Sequence, residues 1–468
     1  MQIFPTPPIN PFERLQVSEG LLITTKRWQQ TQRYHRQRQN FQFQALYQPG
    51  IVCGLGVSVV SRHVDDTTRY QDGRKLLQIQ PGIAIDANGN PIVVPKSEFF
   101  QLRSTPTEAE VVYLVVNYVD PDELRYPPEQ NSVQETFRII EKNALAPEDV
   151  ELCRILFDGT DLSIAADPHF PDPNTLDHRH RLPIRQRPQA TLQVAQLVAD
   201  HSNETTGTAP HLATKKSLTR LLESVDVLLP ALQGIPEVHS IDRATLSDID
   251  RLPYALIYCA HDHLPHIPPA ALPHLKRYLE TGGVLYINAD IGSNRLKELY
   301  TVRQELLVAL DDLGDLSDTN TIQQQLLSEV DATETEIANS IRQICQSVFH
   351  LTSQINYPLK GRGKIDADHP LLTKPFLFSQ LPSFQGQPHH GFCWGSIVLL
   401  INNLPQVWRA EPELKLSRNA LRTAQEFGIN LLHYGWQRRQ LTQLQTSQQP
   451  EPPSRISPSL TQQVTSAI

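Results

Sequence analysis

The sequence predicts two regions of different class: an α+β N-terminal region, with a helix ahead of a small antiparallel β-unit, and then an α/β three-layer domain carrying a helical insertion. Three observations predict this. Between residues 50 and 118 apolar and polar residues alternate around the turn "IDANGNP", which is the period of strands. From about residue 215, buried-type strands ("YALIYCA", "VLYINAD") alternate with amphipathic helices such as "PPAALPHLKRYLETGG". The short connections between them call for βαβ units and a largely parallel sheet. Between 291 and 351, apolar residues recur at helical spacing beneath acidic and Gln-rich faces.

In chain order, residues 18–46 read as a helix with Ser18 as N-cap; Trp28, Tyr34 and Phe41 share one face and the other is rich in Arg and Gln. That polar face is solvated, or it docks an acidic partner or nucleic acid. "GIVCGLGVSVV" reads as a strand, Asn88-Gly89 marks a hairpin, and "EVVYLVVNYV" is a continuous apolar run suited to burial on both faces. The stretch "QETFRIIEKN", then "ELCRILFDGTDLSIAADPHF", then "LDHRHRLP" reads as strand, short helix, strand and an extended polar tail. Residues 1–185 thus form a β-rich docking domain, 186–214 a linker with a polar loop around "HSNETTGTAP", and 215–437 the α/β domain. Within that domain "LSRNALRTAQEFG" reads as a helix stopped at its glycine, and 291–351 as a helical hairpin or lid packed on the core, or as an oligomerisation or docking arm. Residues 438–468, rich in Gln, Ser and Pro, read as a disordered tail.

Composition narrows the function classes. The chain has 468 residues, 39% of them apolar, enough for sizeable cores and too apolar for wholesale disorder. A net charge of −8 argues against general nucleic-acid binding. Five cysteines without CxxC spacing fit a reducing compartment and argue against a disulfide framework or a cysteine zinc site. The start, "MQIFPTPPINPFERLQ", lacks the basic and apolar regions of a secretory signal, and the apolar runs fall short of the roughly 20 residues of a membrane helix. A cytoplasmic location follows, with membrane contact only through partners.

Candidate chemical groups are few. Cys53, between glycines, heads a strand rather than a strand-to-helix elbow; it reads as a small buried residue, with Gly54 and Gly56 admitting another backbone. His261, Asp262, His263 and His266 in "CAHDHLPH" lie where α/β folds place sites, and they are the best metal candidates. No third ligand of clear spacing accompanies them, so a hydrogen-bonding cluster is the plainer reading. "DHRHR" (Asp177–Arg181) reads as a salt-bridged or partner-binding tail, and "QPHHGFCWG" carries adjacent histidines that rarely converge on one ion. "GRGK" lacks the P-loop frame and "DANGN" is a turn rather than a calcium loop. Trp394 and Trp408, taken as an exposed aromatic pair, motivate a sugar-binding alternative. No residue is assigned as catalytic, cofactor-binding or metal-ligating, and no cofactor is expected.

Two resemblances add to this reading. The blocks "GIVCGLGV", "LQIQPGIAIDANGNPIVVP", "VVYLVVNYVD", "TFRIIEKN", "VELCRILFDG" and "LDHRHR", over residues 12–185, resemble a family of baseplate-associated proteins from phage-tail-like contractile injection systems. Where that family often has a "HNR-LHG-G" run, this chain has "QNFQFQALYQPG". The blocks "LPYALIYCAHDHLPHIPPAALPHLKRYLETGGVLYIN", "DHPLL" and "RTAQEFGINLLHYGW", over residues 215–437, resemble an uncharacterised family with a class-I glutamine-amidotransferase-like, flavodoxin-like fold. That fold implies a cysteine nucleophile on an elbow after a strand; here the elbow position holds Ala289 and Asp290, and Cys259 follows the preceding strand. The resemblances imply a non-catalytic adaptor that multimerises within an injection particle, contacts baseplate or other structural proteins, and is anchored to an internal (thylakoid) or cytoplasmic membrane indirectly. The competing expectation is a hydrolase, amidotransferase-like or metal-dependent, using the His261–His266 loop.

Overall fold

The N-terminal helix starts later than its sequence suggests. Gly20 takes a left-handed backbone (φ +77°) in a turn closed by Leu21 N donating to Ser18 O, so no helix runs through it. The helix α1 (Thr25–Leu46) is capped by Thr24, whose Oγ1 accepts from the Arg27 amide at 3.4 Å. The computed structural model describes residues 7, 10–60, 76–103, 110–121, 124, 132–158, 162, 167–198, 209–241, 254–291, 295–313, 320–359, 363–384, 389–410 and 415–445. The expected polar loop around 201–208 and the tail from 446 lie outside these residues. The chain divides into two units, Met1–Arg187 and Pro188–Ile468.

In the first unit, the described residues after α1 form the strands β1 (Tyr47–Gln48), β2 (Gly50–Gly54), β3 (Val57–Val59), β4 (Leu76–Ile79), β5 (Gly82–Ile85), β6 (Pro91–Val94), β7 (Glu98–Gln101), β8 (Glu110–Val119), β9 (Thr136–Lys142), β10 (Val150–Phe157) and β11 (Arg185–Gln186). They pair antiparallel in the orders β2-β5-β6, β3-β4-β7 and β10-β8-β9, with β1 beside β11. One core joins the sheets, built from residues such as Leu55, Leu77, Ile92, Leu114, Leu152 and Ile155. Helix α1 contributes no fully buried residue; Phe12 packs edge-on against its Tyr34 and Phe41. At the tip of the β5–β6 turn, Gly89 has φ +79° and a Cβ there would lie 2.3 Å from Asn40 O, so both turn and helix require glycine.

Cys53 departs from its expected place. In the β2–β5 ladder Ile51 faces Ala84 and Cys53 faces Ile83, so two residues on β2 oppose one on β5. This bulge at Val52 reverses the alternation, because each residue inserted into one strand turns the next side chain to the other face. Ile51 enters the core and Cys53 is exposed, not buried. The glycine reading holds at Gly54, where a Cβ would sit 2.0 Å from Pro81 O, a neighbouring backbone; at Gly56 the close neighbour is the Gln80 side chain.

The second unit contains β12 (Ala190–Leu192), β13 (Val194–Leu197), α2 (Ala209–Leu228), β14 (Leu232–Gly234), β15 (His239–Ile241), β16 (Leu256–Ala260), α3 (Leu272–Glu280), β17 (Val284–Ala289), α4 (Leu296–Leu313), α5 (Asn320–Gln354), β18 (Gly363–Lys364), α6 (Pro370–Thr373), β19 (His390–Cys393), β20 (Ile397–Ile401), α7 (Leu404–Arg409) and α8 (Arg418–Gln445). Seven strands form one sheet in the order β15-β13-β16-β17-β20-β19-β18. The first five are parallel, while β19 and β18 are antiparallel additions. A separate parallel pair joins β12 to β14. The architecture is therefore mixed α/β with several sheets. Alternate residues of β16, β17 and β20 enter two cores, one with α3 and α5 and the other with α2, α7 and α8.

Four expectations are corrected. The described part of 186–214 is no linker: it supplies β12, β13 and the start of α2, and Leu192, Val194 and Ala195 are completely buried. Helix α8 does not stop at Gly428. It runs through Gly428 and Gly435, where a Cβ would lie 2.5 Å from Leu221 Cδ1 and 2.4 Å from Ala255 O, so close packing rather than chain termination explains both glycines. The same helix continues to Gln445, so residues 438–445 are ordered as helix. Trp394 and Trp408 are not exposed; they keep 6% and 1% of their surface, and Trp408 Nε1 donates to Ala424 O at 2.8 Å. The expected insertion is α4 and α5. They are tied to each other by Arg303–Glu334 and Arg295–Glu336, and Ile337, Ile344, Val348 and Leu351 of α5 lie in the sheet core.

Candidate functional site at the carboxyl edge of the sheet

Parallel strands aim their carboxyl ends at one edge, where α/β proteins place ligands and catalytic groups. Here that edge gathers the residues after β16, β17 and β20. Antiparallel β19 brings its first residues to the same edge, with His390 opposite Ile401. After β16 a 3-10 helix spans His261–His266. Asp290 follows β17, and Asn402 and Asn403 follow β20.

The β17 end is knitted to the β20 end. Asn402 N donates to Ala289 O at 3.0 Å, the Asn402 carboxamide oxygen accepts from Leu404 N, and Gln406 Nε2 donates to Asp290 Oδ2 at 3.0 Å. On the α2 side of the sheet, Tyr286 Oη donates to Asn288 Oδ1 at 2.9 Å. Tyr258 packs edge-on against Tyr286 and hydrogen-bonds the side chains of Thr214 and Asn288. Burial holds both phenols well above their ordinary range.

A histidine pair completes the edge. His390 Nε2 is hydrogen-bonded to Tyr300 Oη of α4, with the rings nearly parallel. Burial pushes the Tyr300 phenol to about 12 and lowers His390. Burial takes His389 to about 4, against the hydrogen bonds of the Pro382 backbone and the Asn403 side chain. Both imidazoles are therefore neutral at pH 7 and serve as hydrogen-bonding groups.

The expected candidates fall out as follows. Ala289 and Asp290 stand at the elbow position, and neither has the left-handed backbone of a strained turn. Cys259 is completely buried, its Sγ donates to Ala260 O, and burial pushes the thiol to about 12, so no thiolate forms there near neutral pH. His261 Nδ1 lies 3.4 Å from Asp262 Oδ1, and Asp262 itself points to solvent. Among the described residues no three His, Cys, Asp or Glu side chains converge as a metal-binding group. "DHRHR" is a stitched segment: Arg179 grips Asp177 with two bonds, Asp177 and Arg154 exchange backbone hydrogen bonds, and Arg181 donates to Gly54 O at 2.7 Å. Arg179 in turn holds the Asp177 carboxyl down at about 2.

Sequence reasoning missed Tyr300, Asn403 and Gln406. Tyr300 meets His390 across 90 residues of chain, and no local pattern signals that pairing. A tyrosine on the inner face of an amphipathic helix reads as core. No protein-family model matches the chain, and no curated protein matches it.

Proposed function

We propose that the chain is a non-catalytic structural adaptor of a contractile injection apparatus, baseplate-associated, with its second unit an amidotransferase-like fold from which the nucleophile is missing. The observation that carries this reading is the elbow after β17: it holds Ala289 and an Asp290 tied to Gln406, and the nearest thiol, Cys259, is sealed in the core. A flavodoxin-like architecture is supported by the parallel strands, which taken in chain order lie 2-1-3-4-5 across the sheet. The family resemblance of the first unit is supported by spatial contiguity of its blocks. Ile51 and Gly54 of "GIVCGLGV" are bonded to Leu182, Ile184 and Arg181 of the "LDHRHR" segment and its sequel.

In this reading the polar carboxyl edge is a rigid structural network, and the particle reaches a membrane through other subunits. No described helix is long and apolar enough to cross a membrane. The test is co-sedimentation. A tagged full chain is expected to travel with assembled sheath particles and to retrieve tube and baseplate proteins. A chain that stays in the supernatant while particles assemble normally without it would sink the proposal.

A further inference from the structure

The opposite, amino-terminal edge of the second unit's sheet holds a cavity of about 640 Å³. That size falls in the range of small-molecule sites. One stripe of α8 forms a wall through Tyr434, Gln437, Arg438 and Leu441, and Leu279, Tyr357 and Pro358 face it.

Arg438 is the unusual group in this wall. Its Nε donates to Ser396 Oγ at 2.9 Å, and Ser396 Oγ donates onward to Leu279 O. Its guanidinium also hydrogen-bonds Tyr434, whose hydroxyl donates to Gly395 O. These partners are neutral oxygens, and among the described residues no carboxylate pairs with Arg438. The other charged residue of the lining, Glu280, has its own cation in Lys276 at 3.9 Å. A half-buried guanidinium held in place by hydroxyls, with no carboxylate on it among the described residues, is arranged for an anion; a planar fork matches a carboxylate in two hydrogen bonds. One such cation balances a single negative charge, which favours a carboxylate over a doubly charged phosphate. Among the polar side chains of Gln437, Thr442 and Gln445, the apolar strip of Leu279, Tyr357, Pro358 and Leu441 calls for a short hydrocarbon body behind that head.

We propose that this cavity binds a small organic carboxylate, its head on Arg438 and its apolar body against Leu279, Tyr357, Pro358 and Leu441. The site is independent of the adaptor reading, since it lies at the other end of the strands from the elbow.

Calorimetric titration of the full chain tests it, with octanoate as the probe. Octanoate is expected to bind saturably, whereas octylammonium, with the same tail and opposite charge, and inorganic phosphate, with charge and no tail, are not. Arg438→Gln is expected to weaken octanoate by about 10- to 100-fold, the value of a charge-assisted hydrogen-bond pair. Leu441→Trp, at an exposed position that tolerates bulk, fills the cavity and is expected to abolish binding even if Arg438→Gln fails to fold. No saturable binding by the unmodified chain in the millimolar range overturns the proposal. So does equal binding of octylammonium, or octanoate binding that Leu441→Trp leaves unchanged.

Discussion

The two units use polar and reactive residue types in opposite ways. In the first, the described antiparallel strands pair in three three-stranded sheets over one core and a two-stranded ribbon, and charged groups fasten the edges: Arg179 on Asp177, Arg181 on Gly54, Lys142 on Asp149. In the second, a long sheet separates two cores, and its polar side chains collect at one edge, among them Asn288, Asp290, Asn402, Asn403, His389 and His390. The difference follows from topology. Antiparallel strands divide their carboxyl ends between both edges of a sheet, whereas parallel strands put all of theirs together. A cluster of polar residues in the second unit is therefore a product of the fold before it is a sign of chemistry.

The largest expected effect separates the units by their cores. Trp408→Ala removes a completely buried indole and its bond to Ala424 O, and is expected to destabilise the second unit by about 3–5 kcal/mol. Hydrogen exchange should rise in peptides from β16, β17 and β20, with β8 and β10 unchanged; uniform loosening of both units would break the comparison.

Acid comes next. His389 has a folded pKa of about 4, below its unfolded value near 6.5. A depressed pKa gives stability that is present above the unfolded value and lost as pH falls from about 6.5 to about 4, up to ~3 kcal/mol in total. Burial also lowers His369, His390 and His433 in the second unit, against His178 alone in the first, among the described residues. Asp177, held at about 2, gives the first unit stability that is lost only as pH drops below roughly 3.9. Peptides of the second unit should thus lose exchange protection at higher pH than those of the first. His389→Gln should flatten that loss.

A smaller effect tests the stitching of the first unit. Asp86 accepts from the Asn88 and Asn90 amides and from Asn90 Nδ2. Asp86→Ala strands these donors at the β5–β6 turn and is expected to cost about 1–2 kcal/mol by urea denaturation. Smallest of all, Cys53→Ser should shift stability by no more than about 0.5 kcal/mol, since the side chain is exposed beyond the bulge. A loss several times larger would return Cys53 to the core.

The strands of both units were legible because their signals are local: the Asn88-Gly89 turn, the run of β8, the strand–helix alternation after residue 215. Four features escaped, each for a physical reason. The bulge at Val52 has no sequence mark, so the burial of Cys53 came out on the wrong face. Glycines stop isolated helices, but Gly428 and Gly435 sit where α8 presses on Leu221 and the Ala255 backbone, and tertiary contact outweighs propensity. In β13, Gln196 interrupts an apolar run and made a buried strand look like a linker, although it keeps only 2% of its surface exposed. The Tyr300–His390 pairing joins an insertion to a distant strand and lies beyond any window reading.

Helix α8 also bears on the order in which the chain folds during synthesis. The first unit is complete once Arg187 has left the ribosome. The second cannot close its α2-side core until Phe427, Leu431 and Leu432 have emerged, because they share that core with Leu218, Leu221 and Val225 of α2, from much earlier in the chain. Two interior glycines make α8 a poor helix by itself, by about 1 kcal/mol each relative to alanine, so it condenses on the sheet rather than ahead of it. A nascent chain released before residue 427 therefore carries a finished N-terminal unit and an open apolar sheet face, the kind of intermediate that chaperones hold.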